Sequence, residues 1–510
     1  MNALRGAWAL PLAPIALTAA YIVNAGLDSG VHAQTLVRPL VIGIGVTLGV
    51  TLLALLVTRR RDGAGAITLA IIGLILSGGA AGTLLSRAAR WQSAVLIALV
   101  LLAAILVARI VRRRWSAGRA LLPTSTANLL AGLLLVVVLA GGAVDGRMGH
   151  LVADMTPAAR PQPDATSGVP GEDIIVLILD GHPRADTLER LFDHDSTTFL
   201  EALEDRGFFV ADAAEANYAW TELTLLSMLH MQHVHDVDGF TAITDGGGSL
   251  QPALRNLASD NPVFRLLREA GYRVTTVAPN IDHVALRSPD TTLVPPSLSD
   301  FEIHLMSSTA IAGMVSTVDR EFFARDHRSQ VLWGLDTIEK LASTSPGGRL
   351  ILGHVLSPHM PAVFRADGSL RPVPFDHTFH LDFRALTDTP REVWVADFRE
   401  QVEYLDARVI EMLDEVIRSN PRATVILMSD HGSGSEFDAS TLDTDLEERY
   451  AILFAARTPS EGTIFTSDQT PVNVFPGLLE ERLDRTFPRQ ADTRYFGYRH
   501  PAAIPSSPDR

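Results

Sequence analysis

Two short segments carry residue types that can hold a metal ion. Asp180-Gly181-His182 ends one apolar run, and Ser429-Asp430-His431-Gly432-Ser433 ends another, far along the chain. Carboxylate and imidazole are common ligands of Zn2+ and Mn2+, and an adjacent glycine lets the backbone approach a ligand closely. Taken singly, Asp180-Gly181 reads as a turn and Asp430-His431 as a helix cap. Taken together they read as one site. A third segment, Asn217-Tyr218-Ala219-Trp220-Thr221, leads into the helical run Glu222–Leu229. A hydroxyl there stands where the helix dipole and free N–H groups favour an anion. Bound to a metal, it would lose its proton more easily and become a nucleophile. On local sequence alone, Thr221 is a plain N-cap.

Weaker signals surround these. Arg184 follows the first run and could hold a phosphate oxygen bidentately; a surface ion pair is an equal reading. Asn217 is a second candidate substrate-binding residue. Trp220 either lines the site or packs in the core. His230, His233 and His235 read as a polar turn before a second metal site. Gly246-Gly247-Gly248 lacks the strand–loop–helix context of a nucleotide cradle and reads as a flexible loop.

The elements that must position these residues alternate. Asp173–Leu179 is an unbroken apolar run, as expected of a strand buried on both faces. Similar runs occupy Arg273–Val277, Arg349–Val355, Ala423–Met428 and Ala451–Ala455. Between them, Asn261-Pro262 opens a helix that Gly271 closes. Phe398, Val402, Leu405, Val409, Met412 and Val416 recur at helical spacing up to Asn420-Pro421. The class is therefore α/β with a mostly parallel sheet flanked by helices. Ligands of such sheets bind beyond the carboxyl ends of the strands, where Asp180 and Asp430 stand.

The chain holds 510 residues with a net charge of −15. That charge is divided unevenly. The first 150 residues carry +10, from arginine without lysine, and the remainder carries −25. The acidic part would repel nucleic-acid phosphate. No cysteine is present, which excludes disulfides, thiolate metal sites and a cysteine nucleophile.

The basic part contains five apolar stretches, about 8–25, 37–57, 65–85, 92–111 and 126–144, each near the ~20 residues that cross a bilayer as a helix. They predict an all-α transmembrane module. Arg59, Arg60 and Arg61, and Arg112, Arg113, Arg114 and Arg119, place their loops in the cytoplasm. The N-terminus is then inside and the acidic part outside. Cleavage after the small-x-small segment Val31-His32-Ala33 would remove one span and leave the acidic part outside. The expected domains are a transmembrane module at 1–147, a linker at 148–172, an extracytoplasmic catalytic domain at 173–500 and a loose tail at 501–510.

Asp180-Gly181, Thr221 before a helix, His354-x-x-x-Pro358-His359-x-Pro361 and Ser429-Asp430-His431-Gly432, in that order, resemble the alkaline phosphatase superfamily. The pattern is most similar to its sulfatase-like branch of lipoteichoic acid synthases and phosphoethanolamine transferases. The resemblance implies that Asp180, Thr221, Asp430 and His431 ligate one divalent metal, Mn2+ or Zn2+ with Mg2+ as a third choice. It implies that Thr221 is the nucleophile. His359, and with it His354, would bind the transferred group or protonate the leaving oxygen. Two departures stand out: lipoteichoic acid synthases have Glu where Asp180 stands, and the cysteine- or serine-based motif of true sulfatases is missing. The function expected is a membrane-anchored, metal-dependent hydrolase or phosphotransferase. Its substrate is a membrane lipid or cell-envelope glycopolymer, with no nucleic-acid partner. The alternatives are a simple phosphatase or phosphodiesterase, and a non-catalytic membrane-anchored scaffold.

Overall fold

The computed structural model describes residues 11–76, 124–144, 172–246, 250–344, 347–373, 383–459 and 464–505. In chain order, the elements used below are α1 (Ala13–Ser29), α2 (Ala33–Thr58), α3 (Arg61–Leu76), α4 (Thr124–Val144), β1 (Ile174–Leu179), β2 (Phe209–Val210), α5 (Thr221–His230), α6 (Pro262–Glu269), β3 (Arg273–Val277) and β4 (Thr291–Leu293). They continue with α7 (Asp300–Ser307), α8 (Ile311–Val318), α9 (Phe322–Ala342), β5 (Arg349–Val355), α10 (Arg391–Ser419), β6 (Thr424–Met428), α11 (Leu446–Tyr450) and β7 (Phe454–Arg457). The chain forms two compact units.

The first unit holds α1–α4. Asn128 of α4 caps α1, its Oδ1 accepting from the main-chain N–H of Leu12 and Ala13 at 3.0 and 2.8 Å. Gly30, with φ +62°, turns the chain out of α1, and α2 follows at once. Among the described residues, α2 alone is long and apolar enough to cross a membrane. Of the five stretches expected to cross, one therefore has the length and composition of a span among the described residues. The first stretch forms a helix of 17 residues, one turn short of a span. The third is described only as far as Leu76, where α3 has 16 residues. The fifth lies in α4, whose apolar portion Thr126–Ala140 is shorter than a span. The fourth, 92–111, lies outside the described residues.

Residues 298–322 also belong to this first unit, although the sequence reading includes them in the span 173–500. A capping box starts α7, with Ser299 and Glu302 exchanging hydrogen bonds. Phe301 and Leu305 then bury themselves among Ile22, Leu27, Val31 and Leu36.

The second unit is the α/β part. Its seven-stranded sheet has the order β2-β7-β6-β1-β5-β3-β4. The pairs β6/β1, β1/β5, β5/β3 and β3/β4 are parallel. β7 runs antiparallel to both β6 and β2, so the sheet is mixed at that edge. The expected strand Ala451–Ala455 begins later, at Phe454; Ala451 and Ile452 make only isolated bridges.

β1 shows why an unbroken apolar run suits this position. Ile174, Val176 and Ile178 face one core cluster, and Ile175, Leu177 and Leu179 face the other. The first cluster takes in α5 and the second takes α9 and α10. Gly353 of β5 lets α9 lie close, since a Cβ there would stand 2.1 Å from Ile338. α6 begins as its sequence predicts: Asn261 Oδ1 accepts from Phe264 N at 2.8 Å, and Gly271 at φ +88° follows the helix. All six residues of the α10 stripe are buried.

At the amino end of β1, Asp173 is fully buried and gathers donors from two segments. It accepts from the main-chain N–H of Gly347 and Arg349, the Arg349 guanidinium, and Asn420 Nδ2. Burial pushes its carboxyl pKa up, but the hydrogen bonds from Arg349 and Gly347 outweigh this and hold it below the ordinary range. Its contribution to stability is therefore present above the ordinary carboxylate pKa of about 3.9 and is lost as pH falls through the lowered value. Asp173→Asn removes the charge from a buried pair and leaves Arg349 uncompensated, a change that costs about 3–5 kcal/mol. Thermal unfolding of the purified protein should show a lower midpoint at pH 7, with the gap to the parent narrowing in acid.

Candidate metal centre and nucleophile

The central strands β6, β1 and β5 are neighbours, and their carboxyl ends build the site. Ile178 pairs with Met428 on one side and His354 on the other. Asp180 and Asp430 each lie two residues beyond the paired Ile178 and Met428, so parallel register brings them to the same level. Three hydrogen bonds hold this edge. Gly181 N donates to Asp430 Oδ1 at 3.2 Å, His182 N to Ser429 Oγ at 2.9 Å, and His359 N to Asp180 O at 2.9 Å. Gly181 has φ +74°, a backbone that side chains with a Cβ rarely adopt.

Asp180, His354 and Asp430 each offer a ligand atom, and these atoms lie within 4.8 Å of one another. His354 Nε2 is 2.8 Å from Asp180 Oδ2. His431 Nε2 stands 3.3 Å from Asp430 Oδ2 and 3.6 Å from Asp180 Oδ1. Its Nδ1 lies 2.9 Å from Gly432 O; donating there leaves the Nε2 lone pair facing the carboxylates, the arrangement that orients a metal-binding histidine.

Thr221 meets this cluster from α5. It is the first residue of the helix, after Trp220 at the N-cap position, and its hydroxyl caps no backbone group. Thr221 Oγ1 lies 3.1 Å from His431 Nε2. The plain N-cap reading is thereby replaced: the side chain is aimed at the carboxylate–imidazole cluster.

Whether these residues suit a cation can be tested on their own polar atoms. Asp180 Oδ1 and Asp430 Oδ2 are buried without a hydrogen-bond partner. A buried carboxylate oxygen without a donor carries a large desolvation cost unless a positive charge offsets it. Burial raises the Asp180 pKa, but the opposing influence of His359, then His354 and His431, holds the group well below the ordinary carboxylate range. Ionised carboxylates, imidazole nitrogens and one hydroxyl form a donor set suited to Zn2+ or Mn2+.

No family model and no curated protein matches the chain. Solved structures do. The C-terminal periplasmic domain of EptC from Escherichia coli, in complex with Zn, is similar over 67% of this chain and 94% of that one, at 17% identity and a TM-score of 0.42. Lipooligosaccharide phosphoethanolamine transferase A from Neisseria meningitidis, an integral membrane protein, is similar over 77% and 69% at 13% identity and a TM-score of 0.37. The lipoteichoic acid synthase LtaP from Listeria monocytogenes is similar over 63% and 74% at 14% identity and a TM-score of 0.35.

The other residues singled out from the sequence divide by location. His359 is partly exposed, with its ring centroid 6.4 Å from that of His431 and its Nδ1 2.6 Å from Met360 O. Arg184 is engaged elsewhere, donating to both oxygens of Asp186 at 2.9 and 2.7 Å and to Ala214 O at 3.0 Å. Asn217 is fully buried, with its amide ends on Thr493 O and Val472 N. It braces the loop before Thr221. His230 bonds to Leu257 O, and His233 to Ala491 O. The rings of His233 and His235 stack at 5.8 Å. Trp220 packs beside Phe496 and Tyr498. Gly246 follows a short helix, and 247–249 lie outside the described residues.

The local sequence does not mark the roles of several further residues. His182, within the first motif, turns away from the cluster: its Nε2 meets Asp406 Oδ1 of α10 at 2.9 Å. His327 of α9 lies near His359, and burial first, then His359, pushes its pKa down to about 4, so it is neutral at pH 7. Arg449 is buried beneath the site. It donates to Ala219 O at 2.8 Å and Gly432 O at 3.0 Å, joining the loop before Thr221 to the turn after His431. Phe383 and Phe437 lie 5.1 and 5.6 Å from its guanidinium. Gly432 admits no side chain, because a Cβ would lie 2.0 Å from Glu448 O.

Adding Zn2+ or Mn2+ to the metal-stripped protein should raise its melting temperature. A ligand at 100 times its Kd stabilises the folded state by about 2.7 kcal/mol. Asp430→Asn should abolish that rise, read by differential scanning fluorimetry. An undiminished rise in the variant would remove Asp430 from the centre.

Proposed function

We propose that this protein is a membrane-anchored, metal-dependent phosphotransferase or hydrolase. It acts on a phosphodiester of a membrane lipid or cell-envelope glycopolymer, with Thr221 as nucleophile. The observation that carries the reading is the convergence of Asp180, His354, Asp430 and His431 around unpartnered carboxylate oxygens, with Thr221 Oγ1 3.1 Å from His431 Nε2. Asp180, Thr221, Asp430 and His431 would hold one divalent ion, and His354, bonded to Asp180, is placed to join them. When bound, such an ion lowers the hydroxyl pKa and offsets charge on the phosphoryl oxygens.

The protein's own groups account for the remaining steps. Asp180 and Asp430 keep their charge, supported by the imidazoles around them. His431 orients Thr221 through the 3.1 Å contact. Thr221 Oγ1 gives its proton to solvent and forms a bond to phosphorus as the bond to the leaving alkoxide breaks, and the alkoxide takes a proton from His359. An acceptor hydroxyl or water then passes its proton to the now neutral His359 as it attacks the phosphothreonine, and the released Thr221 oxygen regains a proton from solvent. His327, neutral and near His359, keeps that proton-donating imidazole from facing a second fixed cation. Arg184 and Asn217, occupied by protein groups, act as braces in this scheme.

The membrane part of the reading rests on charge and hydropathy. α2 crosses with Arg59–Arg61 at its cytoplasmic end, within a multi-pass module at 1–147 and followed by a linker at 148–172. The catalytic domain is extracytoplasmic. The segment 298–322 meets α1 and α2 around Ile22, Leu27 and Leu36, at the end remote from those arginines, in keeping with that orientation.

Thr221→Ala should reduce turnover of a phosphodiester substrate at least about a thousandfold, as loss of a nucleophile does elsewhere. Folding, metal-induced stabilisation through the remaining ligands and membrane association should persist. Product analysis with and without a hydroxylated acceptor separates transferase from hydrolase. Equal turnover in the variant and the parent would rule out the covalent route.

A further inference from the structure

The segment 298–322 leaves the α/β unit, joins the N-terminal helices and returns. Its attachment is specific. Glu302 pairs with Arg38 of α2. Tyr21 OH lies 2.8 Å from Ser308 Oγ, and Ala310 N donates to Ile75 O at 3.0 Å. After this anchor comes α8, Ile311–Val318, which has no charged side chain. Ala312 and Gly313 are buried, but Ile311, Met314 and Val318 are 38%, 43% and 88% exposed. Their spacing of three and four puts them on one face.

The depth of this face follows from helix geometry. Arg38 and Arg59 are separated by about 32 Å along α2 at 1.5 Å per residue, close to the ~30 Å of a hydrocarbon core. Arg38, with Glu302, then sits at the outer boundary when Arg59–Arg61 sit at the inner one. Ile75 lies about 21 Å along α3 from Arg61, roughly 10 Å inside that outer boundary. α8 therefore starts at the level where interfacial helices bury their apolar face, ~5–10 Å into the headgroup–acyl region. The exposed side chains of α2, among them Val41, Leu52, Leu53 and Val57, require a hydrocarbon surrounding in the same unit, and the α8 face continues that requirement.

We propose that α8 is an interfacial helix, inserting Ile311, Met314 and Val318 into the outer leaflet. The inference rests on the membrane reading above. It gives the catalytic chain a lipid contact in addition to its N-terminal helices.

The absence of cysteine makes single-cysteine reporters clean. Val318→Cys and Met314→Cys are labelled with an environment-sensitive fluorophore in the full-length protein in phosphatidylcholine nanodiscs. Leu53→Cys serves as the reporter of the membrane span and Ser329→Cys, on exposed surface of α9, as the aqueous reporter. The expected result is a blue-shifted Val318 signal, quenched by 5-doxyl lipid and shielded from iodide, with the reverse at Ser329. Iodide quenching at Val318 equal to that at Ser329 overturns the proposal. So does shielding from both quenchers, which means that a second copy or another protein covers the face. A Leu53 signal insensitive to doxyl lipid shows instead that the membrane reading has failed, and the proposal with it.

Discussion

Two buried carboxylates at the ends of neighbouring strands are the constraint on which the site depends. Like charges about 4 Å apart repel by about 4 kcal/mol at an effective dielectric of 20, and burial adds to that cost. Asp180 and Asp430 are both nearly inaccessible, and each keeps an oxygen with no protein donor. An arrangement of that kind is tolerated when positive charge is close. His354 and His431 flank the pair at 2.8 to 3.6 Å, and His359 contributes from the rim. The remaining need matches a divalent cation.

Main-chain fixation keeps the opposing charges together. Parallel pairing of β1 with β5 and β6 sets the level of the strand ends. Ser429, Gly181 and the His359 amide then join the loops that leave them. Arg449 acts on a longer reach, bonding the carbonyls of Ala219 and Gly432 at once. It ties the approach to Thr221 to the turn that carries His431. Glu448 braces the same turn, accepting from Ser433 Oγ and from the amides of Ser435 and Glu436. Burial pushes its carboxyl up to about 6 despite those donors.

The two units dispose of their apolar side chains differently. α2 turns large apolar side chains outward, which water would penalise and lipid does not. The α/β unit buries its apolar strands on both faces. Residues 298–322 have the composition of a globular helix pair yet pack with α1 and α2, because Phe301 and Leu305 find their apolar partners there. Hydropathy along the chain does not reveal that choice. It depends on which surface the segment meets after folding.

Composition and periodicity alone determined the division into a basic apolar part and an acidic α/β part, most strand positions, and the stripe of α10. These are local properties: burial on two faces requires an unbroken apolar run, and burial on one face of a helix requires spacings of three and four. The motifs also marked Asp180, Asp430 and His431, since few residue types can hold a cation, whereas Thr221 came forward through the resemblance. Tertiary structure decided what depended on register and on distant partners. It turned His182 toward Asp406, took Arg184 and Asn217 into protein contacts, and brought His354 onto Asp180. It placed Arg449 and His327 near the site, and it reversed β7 at the sheet edge. None of these follows from neighbouring residues, because hydrogen-bond geometry and charge interactions act through space between segments that the chain order keeps far apart.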